Sequence, residues 1–372
     1  EDPRIIMEVE DNLSSEALTV GFARRFATYK RANLLFRDPD RLARIINNPE
    51  KPVQFIFAGK AHPNDKAGQD LIKYIVETSK RPEFIGKILF LQNYDINLAQ
   101  KLVQGVDIWL NTPTRPLEAS GTSGEKAVLN GCLHFSVLDG WWAEGYREGA
   151  GWALPEERSY ENQHYQDEMD AETIYSLLEN EITEMFYSKR TKDVPLEWIS
   201  YIKNSIASIA PNFTMNRMFI DYEEKFYKKL NERAERMKAD DLALIRDLSS
   251  WKRFVLRNWE GINIVGYSHP DVSRENVSLG DTYRAEVVLE LKELHPSDIG
   301  VEIVIPEFSY GEDQEAITYT KEFDLVKQEN GQCFYSVEVS PARPGVLDYG
   351  IRIFPKHENL PHRQDFALVK WA

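Results

Sequence analysis

Cysteine is nearly missing from this chain of 372 residues: only Cys132 and Cys333 are present. They lie far apart in the sequence, so no disulfide framework can form and a reducing compartment is expected. No apolar run of roughly eighteen residues occurs, which excludes a membrane-spanning helix. Positive charge is in deficit, with 45 Lys and Arg against 60 Asp and Glu and a net charge of −15. That balance argues against nucleic acid or an anionic membrane as a partner. Internal repeats and low-complexity segments are missing too. The first residues, Glu1-Asp-Pro-Arg, carry neither an initiator Met nor a signal-peptide pattern, so a cytoplasmic piece of a longer protein is expected. What is present supports real cores, since 42% of residues are hydrophobic and 12% aromatic, enough for more than one domain.

Between residues 20 and 140, short apolar runs alternate with helical periodicity. Val53–Phe57, Ile88–Leu91, Val106–Leu110 and Phe135–Leu138 read as strands; Asp40–Asn48, Asp65–Lys80 and Asn97–Gln104 read as helices. Nearly continuous apolar strands suit a sheet buried on both faces. The alternation predicts an α/β fold with a doubly wound parallel sheet and ligands at the carboxyl ends of its strands. Residues 170–210 read as helical, broken near Val194-Pro195 and Pro211. From Thr214 an apolar stripe of Met215, Met218, Tyr222, Phe226, Leu230 and Met237 predicts a long helix to about Trp259, with a break near Lys238–Asp241. After Gly261 the period falls to two, at Tyr283–Leu291, Val301–Ile305, Tyr335–Val339 and Tyr349–Ile353, which predicts a small all-β sandwich. The expected domains are therefore 1–213, a helical connector 214–261, and 262–372.

The most informative stretch is Arg115-Pro-Leu-Glu-Ala-Ser-Gly-Thr-Ser-Gly-Glu-Lys126, lying between a predicted strand and a run that can continue a helix. Small residues at such a junction present several backbone N–H groups to one point, and the helix dipole adds partial positive charge there. That is an anion site. Lys126 falls about one turn inside the helix, where a cation opposes the dipole and needs another reason. An amine held beside a bound phosphate is what pyridoxal phosphate requires. Upstream, Arg24-Arg-Phe-Ala-Thr-Tyr-Lys-Arg31 groups cations that could converge on an anion from a loop, although a solvated basic patch would look the same. Gly59-Lys60 and Asn93-Tyr94 stand at predicted strand exits. No metal centre is expected.

Glu118-Ala-Ser-Gly-Thr-Ser-Gly-Glu-Lys126 resembles the cofactor-lysine segment of the α-glucan (glycogen, starch and maltodextrin) phosphorylases, and Trp109-Leu-Asn-Thr-Pro113 resembles their short microbial branch. The resemblance runs over about 18–228 and more loosely beyond, and covers the C-terminal part of that family. It implies the C-terminal lobe of a two-lobed glycosyltransferase-B fold. It implies pyridoxal 5′-phosphate on Lys126, with Thr122 and Ser123 at its phosphate and Arg24 and Tyr94 nearby. Arg25 and Lys30 would hold inorganic phosphate; Glu118, Ser120 and Gly121 would hold the hydroxyls of the glucosyl unit. Lys60 would approach the cofactor, and Asp139-Gly140-Trp-Trp-Ala-Glu144 would shape its pocket. Ala27 stands where the animal-type pattern has His, Ser123 where Gly is frequent, and Glu125 where Met is common.

The family cleaves terminal α-1,4-glucosidic bonds of a glucan with inorganic phosphate, giving α-glucose 1-phosphate in glycogen metabolism. The cofactor's phosphate, with a pKa of about 6, exchanges protons near neutral pH, while cations offset the repulsion between two phosphates. The N-terminal lobe of the same polypeptide would be missing, so the chain is expected to be inactive alone; an oligomer is possible. Two other readings stay open: a nucleotide-sugar-dependent glucan synthase lobe, and a non-catalytic carbohydrate-binding or scaffold protein.

Overall fold

A computed structural model describes residues 7, 10–11, 13–154, 162–188, 194–268, 282–307, 316–340 and 349–372. The Glu1–Arg4 stretch lies outside them. The chain divides into two compact units, Glu1–Lys225 and Phe226–Ala372.

The first unit is built on six parallel strands in the order β3-β2-β1-β4-β5-β6. These are β1 (Leu18–Ala23), β2 (Val53–Ala58), β3 (Ile88–Leu91), β4 (Ile108–Asn111), β5 (Leu133–Val137) and β6 (Trp152–Leu154). The helices that follow them are α1 (Pro39–Ile46), α2 (Lys66–Thr78), α3 (Ile96–Gly105), α4 (Thr122–Leu129) and α5 (Trp141–Gly145). Further along come α6 (Gln163–Leu177), α7 (Thr183–Phe186), α8 (Leu196–Ser208) and α9 (Met215–Tyr222). Asp38, Asp65 and Asp95 cap α1, α2 and α3 by accepting from Arg41, Gly68 and Leu98 N–H groups.

Alternate residues along each strand feed opposite faces. Leu18, Val20, Phe22, Phe55, Phe57, Ile108 and Leu110 join one core with Leu42 of α1, Ile75 of α2 and Tyr175 of α6. Ala23, Ala58 and Trp109 join the opposite one with Leu102 of α3 and Ala127 of α4. Helices thus cover both faces, as the strand texture predicts. Two strands were not legible in advance, the central β1 and the three-residue β6.

The second unit begins with α10 (Lys228–Asn258), whose helical geometry breaks over Ala239–Leu242, where Asp240, Asp241 and Leu242 have φ of 49°, 53° and 62°. The break falls where the sequence reading puts it. The apolar stripe leading into it is not buried, and Met215 and Leu230 are 73% and 59% exposed.

Two four-stranded antiparallel sheets follow, one in the order β11-β12-β8-β7 and the other β10-β9-β13-β14. Their strands are β7 (Asn263–Ser268), β8 (Tyr283–Glu290), β9 (Ile299–Glu307), β10 (Ala316–Glu322), β11 (Asp324–Glu329), β12 (Gln332–Val339), β13 (Gly350–Pro355) and β14 (Lys370–Trp371). Ala285, Val287 and Leu289 of one sheet share a core with Val301, Ile303, Ile351 and Ile353 of the other, and with Val255 of α10. Glu302 is buried and takes ion pairs from Arg352 and Arg363.

Candidate active site

The order of the parallel sheet reverses between β1 and β4, and a crevice for ligands opens beyond the carboxyl ends of two strands at such a point. Arg24 leaves β1 there. Its guanidinium crosses to β4, donating from Nη2 to Leu110 O at 2.6 Å, and lies 4.5 Å from the Phe22 ring centroid. Burial lowers its pKa to about 10, against the opposing pull of Glu118, Tyr94 and Tyr29, so it remains charged at neutral pH. Gly59 at the end of β2 makes this possible, because a Cβ there would lie 2.1 Å from the Arg24 carbonyl oxygen.

Lys30 closes the short turn Thr28–Lys30. Its ammonium is buried, lies 4.7 Å from the Tyr29 ring centroid and forms an ion pair with Glu118. Glu118 comes from the loop after β4. Its own N–H donates to Asp139 Oδ2 at 2.9 Å, and Asp139 Oδ1 takes the Gly140 N–H at 2.9 Å. Trp141 N–H donates to Ser120 O at 2.8 Å. Asp139-Gly140 therefore braces the loop that carries Glu118, Ser120 and Gly121.

Gly121 is the N-cap of α4 with φ of 87°, a left-handed conformation that favours glycine, and no side chain caps this helix end. Gly124, one turn in, packs against His134 and Trp141; a Cβ there would lie 2.5 Å from the imidazole and 2.8 Å from the indole nitrogen. Ser123 Oγ accepts from Trp109 Nε1 at 3.1 Å. Thr122 and Lys126 are exposed on α4. Burial raises the pKa of the neighbouring Glu125 carboxyl, while Lys126 and Arg217 pull it down.

Arg24, Lys30, Glu118 and Tyr94 are brought together. Burial raises the Tyr94 hydroxyl pKa, and the Arg24 charge works against that. Arg25 is exposed; Lys60 is exposed within electrostatic reach of Asp95. Arg31 does not join the other cations. Its guanidinium turns to Thr112 O and Pro113 O at 2.8 and 2.9 Å and to Asp170 at 2.7 Å, locking the loop after β4 to α6. Those partners satisfy its charge, so it has no part in an anion site.

Sequence reasoning missed Tyr29 and His134 as constituents of this region, whereas Trp141 belongs to the Asp139–Glu144 segment expected to shape the pocket. His134 Nδ1 lies 3.1 Å from Trp109 O, which can only accept, so the proton sits on Nδ1 and Nε2 is the bare lone pair. Burial, with the Arg24 charge, pushes its pKa down to about 3. Arg24 Nε, Asn111 Oδ1, His134 Nε2 and Trp141 Nε1 are buried without a hydrogen-bond partner among the described residues.

Two family models match the chain: "Carbohydrate phosphorylase" over residues 6–149, which contains this whole constellation, and "Glycogen phosphorylase C-terminal domain" over 259–372. The chain belongs to the α-glucan phosphorylase family. Maltodextrin phosphorylase of Thermococcus litoralis is 40% identical over 98% of this chain, which spans 42% of that protein. Glycogen phosphorylase of Aquifex aeolicus is 51% identical over 62% of this chain and 33% of its own length. The rabbit muscle form is more distant, at 27% over 58% of this chain. The likeness is thus to the short microbial phosphorylases, and this phosphorylase chain spans less than half the length of those relatives.

Proposed function

We propose that this chain forms the cofactor- and phosphate-binding side of a site that phosphorolyses terminal α-1,4-glucosidic bonds to α-glucose 1-phosphate. One observation carries the reading. The uncapped, glycine-led start of α4, with Lys126 a turn inside it, stands at the same sheet edge as the buried Arg24 and the Lys30–Glu118 pair. The sheet unit is then one lobe of a glycosyltransferase-B fold, and the two antiparallel sheets form a sandwich packed around a single core.

Pyridoxal 5′-phosphate fits these residues. An uncapped helix start suits a phosphate, an exposed amine suits an aldehyde, and the buried Arg24 Nε still has a proton to donate. Lys126 would anchor the group, Thr122 and Ser123 would receive its phosphate, and Arg24 and Tyr94 would line its surroundings. When bound, the cofactor supplies a phosphate that exchanges protons near neutral pH. The remaining work belongs to the chain. Arg25 and Lys30 place inorganic phosphate and offset its charge. Glu118 accepts from sugar hydroxyls, and Ser120 and Gly121 offer backbone amides to the same sugar. Arg24 keeps its charge beside them at neutral pH.

This side of the site contributes one wall, and we propose that it is inactive until a second lobe covers it. The test is to incubate the purified chain with pyridoxal phosphate, reduce with borohydride and map the labelled peptide. Label on Lys126 is expected. Label confined to other lysines, or none with an added N-terminal lobe, would remove the reading.

A further inference from the structure

Lys30 and Glu118 lie 88 residues apart, yet their side chains are 11% and 8% exposed and engage each other. In the reading proposed above they serve different ligands, Lys30 the inorganic phosphate and Glu118 the sugar. Each therefore occupies the group that the other's ligand needs. Only the side chains are free to part. Thr112 Oγ1 donates to Lys30 O at 3.1 Å, and Asp139 takes the Glu118 N–H at 2.9 Å, so both backbones are pinned. The Glu118 charge also reaches Arg24, the second buried cation of the crevice. A phosphate approaching Lys30 meets a carboxylate that already holds the ammonium and repels the incoming anion.

We propose that Glu118 is a built-in competitor for phosphate at Lys30, and that the ion pair is a latch coupling the two substrates. Removing one partner of a buried pair leaves a charge unmatched in a medium that solvates it poorly. When sugar hydroxyls draw the carboxylate away, the ammonium is released to phosphate; when phosphate takes the ammonium, the carboxylate is released to the sugar. Linkage makes the two effects equal, so each ligand tightens the other. The latch disfavours either substrate alone and favours the pair, which keeps an unproductive phosphate complex from filling the crevice.

The proposal rests on the assignment of Lys30 to phosphate, and its test uses neither Lys126 nor the cofactor. Inorganic phosphate is titrated calorimetrically into the chain and its variants. Glu118→Gln removes the competing charge with its shape kept, and phosphate should bind on the order of tenfold tighter, the scale of one charge-assisted hydrogen bond. Unchanged or weaker binding, or none in any variant, overturns the latch. Lys30→Gln/Glu118→Gln should lose the gain; a gain that persists lies with other cations and overturns it too. Should Glu118→Gln fold poorly, Glu118→Asp draws the carboxylate back by one methylene and must shift affinity in the same direction. A tighter Glu118→Gln without Lys126 labelling keeps the latch and removes the cofactor assignment; labelling without the gain does the reverse.

Discussion

At the scale of single residues, His134 shows how burial decides chemistry. A histidine in a β-strand reads as a candidate acid or base, but this one is 0% exposed and its pKa is down to about 3. It is neutral in the folded protein at any physiological pH. The unfolded chain takes up its proton near pH 6.5. Folding stability from this residue is therefore complete above that value and declines as pH falls toward 3, by up to about 1.4 kcal/mol per pH unit. Urea unfolding followed by tryptophan fluorescence at pH 7 and pH 5 should show this slope, and His134→Phe should lack its share. The glycine-led start of α4 with Lys126 inside it was legible because its signal is local: glycines at a strand-to-helix junction and an amine one turn on. Arg31 was not, since its carboxylate partner Asp170 lies 139 positions away. Nor was the Lys30–Glu118 pair, for the same reason.

At the scale of elements, legibility followed burial. β8, β9, β12 and β13 alternate because one face packs in the core, and their period of two was visible. β11 is exposed at every position and offers no alternation to read. β1, with all six residues buried, has no alternation either, and it runs into Arg24 without a Gly or Pro stop. The break in α10 was visible from its loss of pattern, but not its conformation. Three successive non-glycine residues with positive φ cost roughly 1–2 kcal/mol each relative to the helical region. Leu242 is 43% exposed, so its side chain contributes little packing. Leu242→Gly should therefore stabilise the second unit by about 1 kcal/mol, read as a rise in its melting temperature.

At the scale of the whole molecule, the cores are separate. Residues of the sheet cluster run from Leu18 to Trp198, and those of the β cluster from Val255 to Ile353. Units with their own cores melt in their own transitions. Calorimetry should show two, and Glu302→Ala should lower only the one belonging to Phe226–Ala372. That substitution strips Arg352 and Arg363 of their shared carboxylate; both guanidiniums reach solvent, so the cost is about 1–3 kcal/mol. A single transition shifted as a whole would contradict the division.

The order β3-β2-β1-β4-β5-β6 also sets a timetable on the ribosome. β1 is made first, but one of its two edges has no partner until β4 has emerged. Until then Leu18–Ala23, apolar along nearly its whole length, offers an open edge to any other extended strand. Nascent chains paused between β3 and β4 thus leave that edge of β1 without its native partner.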